Sequence, residues 1–200
     1  MKGSLTIIGF FILGIVVSHY NLLPISIIHS DLSFYTLCGL MFFVGINIGS
    51  DKNTLENISQ LNLRYALLPI MTILGTLAGC AIVSLFLSNR SISDCCAVGS
   101  GLGYYSLSSV IITEYRGAEL GTIALLCNIM REAVTLLFAP ILVKYFGKLT
   151  PISVGGATTA DTTLPIITQS CGKNFIVISI LHGCMVDFSV PFLVTFFCSL

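Results

Sequence analysis

The sequence predicts an all-α integral membrane fold with about five spanning helices and two opposed re-entrant or broken-helix segments. Three observations predict this fold. The chain is 55% hydrophobic with a mean hydropathy of +0.98 and only 9% charged residues, whereas a globular domain carries roughly 25%. Five apolar runs have the length of a spanning helix. Two stretches rich in glycine, serine and threonine separate the later runs.

The composition excludes several classes of function. Nine basic and nine acidic residues leave no net charge, so the chain lacks the basic surface that nucleic acid binding requires. The eight cysteines lie mostly inside apolar runs, without the spacing of a metal site. No HExxH or GxSxG motif occurs, and the glycines of "GSGLGYY" follow no soluble strand. We therefore expect no metal, no cofactor and no enzymatic activity.

The apolar runs define one transmembrane domain over residues 1–200. A spanning helix needs about 20 apolar residues, and the runs that qualify cover 4–20, 32–49, 65–88, 119–143 and 174–199. The first run lacks a small-residue cleavage site, which favours a retained helix over a signal peptide. The resulting plan is two helices and a cytoplasmic loop over 1–64, a helix and a hairpin over 65–118, and a helix, a hairpin and a final helix over 119–200.

An internal repeat links the two polar stretches. "AVGSGLGYYSLSSVIITE" and "SVGGATTADTTLPIITQ" share a Val-Gly pair near the start and end in similar "VIITE" and "PIITQ" segments. The two stretches align with an offset of 55 residues, and the same offset places the span 65–88 on the span 119–143. A unit of one long helix followed by a polar segment therefore occurs twice. A chance likeness between two glycine-rich stretches is the alternative.

The basic residues favour polar segments that enter the membrane and return. With two re-entrant segments, one side of the membrane receives six basic residues and the other side only Arg90 and Arg116. With two crossing segments the division is five against three, which is a weaker bias. One crossing plus one re-entrant segment inverts the next unit, as in inverted-repeat secondary transporters. The two segments then enter from opposite faces, and their tips can meet.

Asp161 is the strongest candidate for a functional residue. A carboxylate at membrane depth costs about 3 kcal/mol or more, so it must titrate, bind a cation or receive hydrogen bonds. Thr158 and Thr163 offer hydroxyls, and Gly155 and Gly156 allow a close approach of backbone to a ligand. The structural alternative is a helix cap, with a threonine or Asp161 capping a half-helix that begins near Leu164 and Pro165.

A second polar cluster interrupts the fourth span. Asn128, Arg131 and Glu132 lie at positions i, i+3 and i+4, so they share one helix face, which must point into the bundle. Arg131 either neutralises Glu132 or another acid such as Asp161, or acts directly in transport.

Further candidates lie in the first polar segment and the last span. Glu114 ends the first segment and is either solvated or a second titrating group, and His182 is either a satisfied core histidine or a proton relay. The remaining candidates are the site-lining Tyr105, Ser106 and Ser108 and the backbone positions Gly101 and Gly103.

These motifs together resemble the LysO family of bacterial lysine exporters. The similar features are the run "SGLGYYSLS" followed by Thr113-Glu114, the pair Arg131-Glu132, "GATTADTTLP" over 156–165, and His182-Gly183. They occur in the same order as in the family. The chain resembles the C-terminal two-thirds of a full-length member.

The resemblance implies a function and a partner. It implies export of L-lysine and its toxic analogue thialysine across the bacterial inner membrane, driven by inward proton flux, with Asp161 required. Full-length members carry three further helices and a second important intramembrane acid before the matched region. We therefore expect a homodimer or a separate small polypeptide to supply the missing helices. The expected partners are L-lysine, protons and membrane lipid.

Two other functions remain open at this stage. The same opposed segments would suit a Na⁺- or proton-coupled transporter of another small amino acid or a carboxylate, with half-helix N-termini binding the anion. A non-transporting membrane scaffold is the second alternative, because polar segments also bind helices together.

Overall fold

The computed structural model describes residues 63–200 and six isolated residues before them, which are Leu13, Val16, Val17, Tyr20, Phe42 and Ile46. The predicted spans 4–20 and 32–49 therefore lie outside the described residues except at these six positions. From residue 63 onward all regular structure is helical. The α-helices are α1 (Leu67–Ser84), α2 (Ile92–Gly99), α3 (Tyr105–Arg116), α4 (Ala118–Phe146), α5 (Thr150–Gly155), α6 (Leu164–Cys171) and α7 (Ile176–Ser199). Short 3-10 turns cover Leu63–Ala66, Gly156–Ala160 and Lys173–Phe175.

Three of the described helices are long and apolar enough to cross a membrane. They cover Leu67–Ser84, Ala118–Phe146 and Lys173–Ser199, with mean hydropathies of 2.0, 1.6 and 1.9. These ranges match the predicted spans 65–88, 119–143 and 174–199 closely. The all-helical fold class is therefore confirmed for this part of the chain.

Each polar stretch forms two short helices separated by irregular backbone. We call residues 100–104, between α2 and α3, the first break, and residues 156–163, between α5 and α6, the second break. In the first break Leu102 and Gly103 adopt φ angles of 48° and 99°, which a right-handed helix cannot contain. In the second break Gly156 has a φ of 65°, and Pro165 lies in the first turn of α6 as predicted.

The first broken segment begins and ends at the same end of the bundle. Arg90, before α2, forms an ion pair with Glu119 at the start of α4. Arg116, the last residue of α3, lies 3.4 Å from Asp94 in the first turn of α2. We call this end the first mouth.

The second broken segment returns to the opposite end. The Nζ atom of Lys148, before α5, lies 5.6 Å from the ring centroid of Phe175, which follows α6. Ile152 of α5 and Cys171 of α6 belong to one buried cluster. We call this end the second mouth. Because α4 runs from Ala118 to Phe146, about 43 Å at 1.5 Å per residue, the two mouths lie at opposite ends.

The two breaks meet between the mouths. The backbone N–H of Ala157 donates a hydrogen bond of 2.9 Å to the carbonyl oxygen of Leu102. Both residues belong to a buried apolar cluster that includes Val186 and Val190 of α7. The predicted contact between the tips is therefore present, and it places both breaks inside the bundle.

Candidate functional site

Glycine allows the close contact between the two breaks. A Cβ atom added to Gly156 would lie 2.1 Å from the carbonyl oxygen of Leu102, and the φ of Gly156 is +65°. One added to Gly103, where φ is +99°, would lie 3.0 Å from the carbonyl oxygen of Gly155. Only glycine satisfies both the backbone angle and the spacing at Gly156.

Asn128 of α4 holds the first break. Its Oδ1 accepts a hydrogen bond of 2.8 Å from the backbone N–H of Gly103. Its Nδ2 donates to the carbonyl oxygens of Ala124 at 2.9 Å and Val98 at 3.3 Å. The amide is buried and uses its donor and its acceptor on backbone groups.

Arg131, about one helical turn further along α4, holds the second broken segment. Its Nε donates to the carbonyl oxygen of Val154 at 2.7 Å, and its Nη2 donates to that of Ser153 at 3.1 Å. Its Nη1 lies 3.4 Å from the hydroxyl of Thr76 on α1. A cation that binds the last carbonyls of a helix also interacts favourably with the helix dipole.

The polar face of α4 therefore points into the bundle as predicted, with Asn128 at one broken segment and Arg131 at the other. The expected ion pair of Arg131 with Glu132 or Asp161 is absent among residues 63–200. The physical reason is that the carbonyl oxygens at the end of α5 need donors, and the guanidinium supplies them.

Asp161 lies inside the second break, immediately before α6. Its carboxylate accepts a hydrogen bond from the backbone N–H of Thr162. Helix α6 begins at Leu164 as predicted, but no side chain caps it. The Thr163 hydroxyl instead donates to the carbonyl oxygen of Thr158 at 3.0 Å. The capping alternative for Asp161 is therefore wrong in this structure, and its carboxylate stays available to a ligand.

Two further acids lie near Asp161. Glu132 of α4 and Asp187 of α7 each interact electrostatically with it, and the Tyr105 side chain interacts electrostatically with both Glu132 and Asp161. Glu132 also interacts with the Thr162 side chain, although no hydrogen bond of standard geometry satisfies the buried Thr162 hydroxyl. None of the three acids forms an ion pair within the described part of the chain.

Sequence reasoning did not include Asp187 in the site. The signal that would have found it is a carboxylate near the middle of an apolar span. Its neighbour one turn earlier, Gly183, packs directly on the second break, since an added Cβ there would lie 2.6 Å from the backbone nitrogen of Ala160. This contact brings the Asp187 region of α7 to Asp161.

The predicted site-lining residues of the breaks have different surroundings. The Thr158 hydroxyl donates to the carbonyl oxygen of Gly155 at 3.0 Å, and that of Ser108 donates to the carbonyl oxygen of Tyr105 at 3.4 Å. These hydroxyls stabilise the local backbone. Ser106 and Glu114 are exposed on α3. Gly101 faces Asn128 and Ser108, whose side-chain atoms would lie 2.5 Å and 2.7 Å from an added Cβ.

His182 of α7 is buried, with 1% of its surface exposed. Its Nε2 lies 3.0 Å from the Thr72 hydroxyl of α1, and its Nδ1 lies 3.3 Å from the Thr159 hydroxyl of the second break. Both ring nitrogens therefore have partners, and the interpretation as a satisfied core histidine agrees with this geometry. The partners lie 110 and 23 residues away in sequence, which no local pattern indicates.

An open groove of about 1080 Å³ runs from the first mouth toward the breaks. Its walls are mostly apolar and come from α1, α2 and α4. The polar groups at its inner end are Thr72, Thr76, Asn128, Arg131 and Ser153. The groove therefore gives access to the anchors of both breaks from one end of the bundle.

No cluster of metal-ligating side chains occurs in the part of the chain that the structure describes. The cysteines described there are free thiols. The absence of a metal or cofactor remains a prediction from the sequence.

Comparison with known proteins gives a family and two relatives. The family model described as "Lysine exporter LysO" matches residues 8–198. The lysine exporter LysO of Escherichia coli is 32% identical over 168 residues, which is 84% of this chain and 55% of that protein. A Haemophilus influenzae protein provisionally named a lysine exporter is 35% identical over 167 residues, or 84% of each chain. The chain thus spans about half the length of the E. coli relative. No solved structure matches.

Proposed function

Because the chain belongs to the lysine exporter LysO family, we propose that it exports L-lysine, and its toxic analogue thialysine, across the bacterial inner membrane in exchange for protons. The family is one of transporters and not of enzymes. The observation that carries the proposal is the placement of Asp161, which lies in the second break, interacts electrostatically with Glu132 and has no cationic partner among residues 63–200.

In the proposed mechanism Asp161 binds both the substrate ammonium and the proton, one at a time. A carboxylate inside a membrane protein is stable when it binds a cation or a proton. Asp161 binds the substrate ammonium in one state and a proton in the other, so that release of one permits binding of the other. Glu132 is the second titrating group, and Glu114 is the alternative. Tyr105 and Ser106 line the path, the buried hydroxyls of Ser108, Thr158 and Thr163 stabilise the backbone beside it, and Arg131 organises the second broken segment.

We propose that two opposed re-entrant segments and five spanning helices form one inverted-repeat domain over residues 1–200. The ion pairs at the first mouth and the Lys148–Phe175 contact at the second mouth support segments that return to the end where they began. The long α4 between the mouths supports opposite directions. The first two of the five spans lie outside the described residues.

Contacts between equivalent positions support the repeat. A residue near a twofold axis contacts its own symmetry mate. The hydrogen bond of Ala157 to Leu102 joins two residues 55 positions apart, and the contact of Arg131 with Thr76 has the same separation. Gly117 and Gly172, also 55 apart, end α3 and α6 with nearly equal angles (φ 90°, ψ 164° and φ 98°, ψ 160°).

Charge supports an orientation in the inner membrane. Lys144, Lys148 and Lys173 lie near the second mouth, whereas Arg90 and Arg116 at the first mouth are paired with acids. An excess of lysine and arginine marks the cytoplasmic side. We infer that the second broken segment enters from the cytoplasm and the groove opens to the periplasm. With two spans before α1, the N-terminus is cytoplasmic.

For partners, we propose a homodimer or a complex with a separate small polypeptide that adds helices. The E. coli relative extends well beyond the matched region, which supports a larger transporting unit. Cross-linking in native membranes distinguishes the two: a band at twice the mass of one chain indicates a homodimer, and a smaller increase in mass indicates the polypeptide.

The test of the proposed function is efflux of labelled lysine from proteoliposomes with and without an inward proton gradient. We expect the gradient to drive efflux and Asp161→Asn to abolish it, because the amide binds neither an ammonium nor a proton in the same way. Glu119→Gln is the control, since this acid is exposed at the first mouth and surface pairs contribute about 1 kcal/mol or less. Full gradient-driven efflux by Asp161→Asn would disprove the mechanism.

A second candidate function is a Na⁺-coupled carboxylate transporter. The presence of Arg131 at the inner end of the groove favours it, because a guanidinium binds carboxylates well. Carboxylate transport that requires Na⁺, without lysine transport, in the same proteoliposomes would support this candidate. A scaffold without transport is the remaining alternative, and it predicts no effect of Asp161→Asn or Glu132→Gln.

A further inference from the structure

We propose that His182 is a positioning residue that fixes the second break, and with it Asp161, through its Nδ1 hydrogen bond to Thr159. The inference rests on the proposed function, because it concerns the placement of the proposed substrate and proton site. It assigns His182 a role in geometry and not in proton transfer.

The hydrogen-bond partners of Thr159 determine the direction of the network. Its hydroxyl has one hydrogen and two carbonyl acceptors within reach, Gly156 at 2.7 Å and Ser179 at 3.0 Å. Since the hydrogen points to a carbonyl, the oxygen can only accept from the imidazole. Nδ1 of His182 therefore carries the proton and donates to Thr159.

The other ring nitrogen is then an acceptor. In a neutral imidazole with Nδ1–H, Nε2 accepts, here from the Thr72 hydroxyl at 3.0 Å. Thr72 in turn accepts from the Ser153 hydroxyl at 2.8 Å. The chain of hydrogen bonds runs from Ser153 through Thr72 and His182 to Thr159, and it ends on a backbone carbonyl. A chain that ends on a carbonyl gives a proton no path to Asp161.

The network instead connects three elements to the second break. Thr72 lies on α1, Ser153 on α5 and His182 on α7, while the backbone carbonyl of Thr159 also accepts from the Ser179 hydroxyl at 2.9 Å. Thr159, Ser179 and His182 are at most 1% exposed. Asp161 lies two residues after Thr159, so displacement of Thr159 moves the carboxylate relative to Glu132.

Two substitutions of His182 distinguish the hydrogen bonds that its two ring nitrogens make. The amide nitrogen of Asn reaches the position of Nδ1, so His182→Asn keeps the bond to Thr159 and loses the bond to Thr72. The amide of Gln reaches the position of Nε2, so His182→Gln keeps the bond to Thr72 and leaves Thr159 without its donor. Thr159→Val and Thr72→Val remove the same two bonds without changing the histidine. Thr159→Val also removes the hydroxyl bond to a backbone carbonyl, and Thr72→Val also removes the bond to Ser153.

The experiment measures the initial rate of gradient-driven lysine efflux in proteoliposomes together with thermal unfolding in detergent. We expect His182→Gln and Thr159→Val to lower the rate roughly tenfold, as for loss of a buried hydrogen bond. His182→Asn and Thr72→Val keep the rate within about threefold of the wild type. Ser189→Ala, whose hydroxyl bonds within α7 at 2.6 Å, is the matched control.

Equal loss of efflux in His182→Asn and His182→Gln would overturn the proposal, because a proton relay or a folding role removes both alike. Full efflux in both variants would overturn it as well. Asp161→Asn in the same preparation separates this result from failure of the proposed function. If Asp161→Asn is inactive while both histidine variants are active, the proposed function stands and only the role of His182 is lost.

Discussion

The two breaks have the same plan but different chemistry. A neutral amide, Asn128, holds the first break through backbone groups. A guanidinium, Arg131, holds the second broken segment, and hydroxyls and an imidazole surround it. At the matched positions, 55 residues apart, the first segment has Ser106 and the second has Asp161. The comparison supports the proposal that the second break carries the ion chemistry, with the first break as a fixed support.

The largest expected difference between the breaks comes from a matched pair of glycines, Gly101 and Gly156. In Gly156→Ala the new Cβ meets the backbone of Leu102 at a positive φ, and we expect a loss of about 3 kcal/mol or more. In Gly101→Ala the obstructing atoms belong to the side chains of Asn128 and Ser108, so the substitution disturbs the Asn128 anchor without meeting the backbone, and the expected loss is about 2 kcal/mol. Thermal unfolding in detergent measures both. Equal destabilisation would contradict the assigned contact between the breaks.

Separate substitutions of the two anchors on α4 give the next largest expected loss of stability. Arg131→Met leaves the carbonyl oxygens of Ser153 and Val154 unpaired, which costs about 2 to 4 kcal/mol. Asn128→Leu leaves chiefly the N–H of Gly103 unpaired, which costs about 2 kcal/mol. Arg131→Lys is the control and recovers part of the loss, because the ammonium restores the positive charge but not the planar set of donors. A larger effect at Asn128 than at Arg131 would reverse the assignment of the two breaks.

The smallest expected loss of stability tests whether the two repeat units are equivalent at positions outside the proposed ion site. Gly117 and Gly172 have the same backbone conformation, and an added Cβ at either position meets nothing within 4 Å. Alanine there is strained by its backbone alone, so each substitution costs about 1 kcal/mol. The two midpoints of thermal unfolding should agree. Unequal shifts would show that the halves differ beyond the breaks.

Periodicity and composition predicted much of this architecture. The apolar runs gave three described spans to within a few residues, and the glycine, serine and threonine content gave both broken segments. The face of Asn128, Arg131 and Glu132 followed from helical spacing alone. These features are local, so a single sequence carries them.

The partners of these side chains could not be predicted. Arg131 binds backbone carbonyls of α5, and a carbonyl has no sequence signature. His182 meets Thr72 and Thr159 only after α1, α7 and the second break pack together. Asp187 joins the site because Gly183 lets α7 approach the second break. Such contacts depend on long-range packing, which local patterns do not encode.

The hydrogen bond between the breaks also has a consequence for biosynthesis. The carbonyl of Leu102 receives its partner, the N–H of Ala157, from a residue that is synthesised 55 positions later. At about 5 to 20 residues per second, the delay is several seconds. During this time the first break cannot rest stably in lipid, because its backbone groups are unsatisfied there. We expect the first broken segment to remain close to the insertion machinery until the second one emerges, so that the two enter the membrane as a pair.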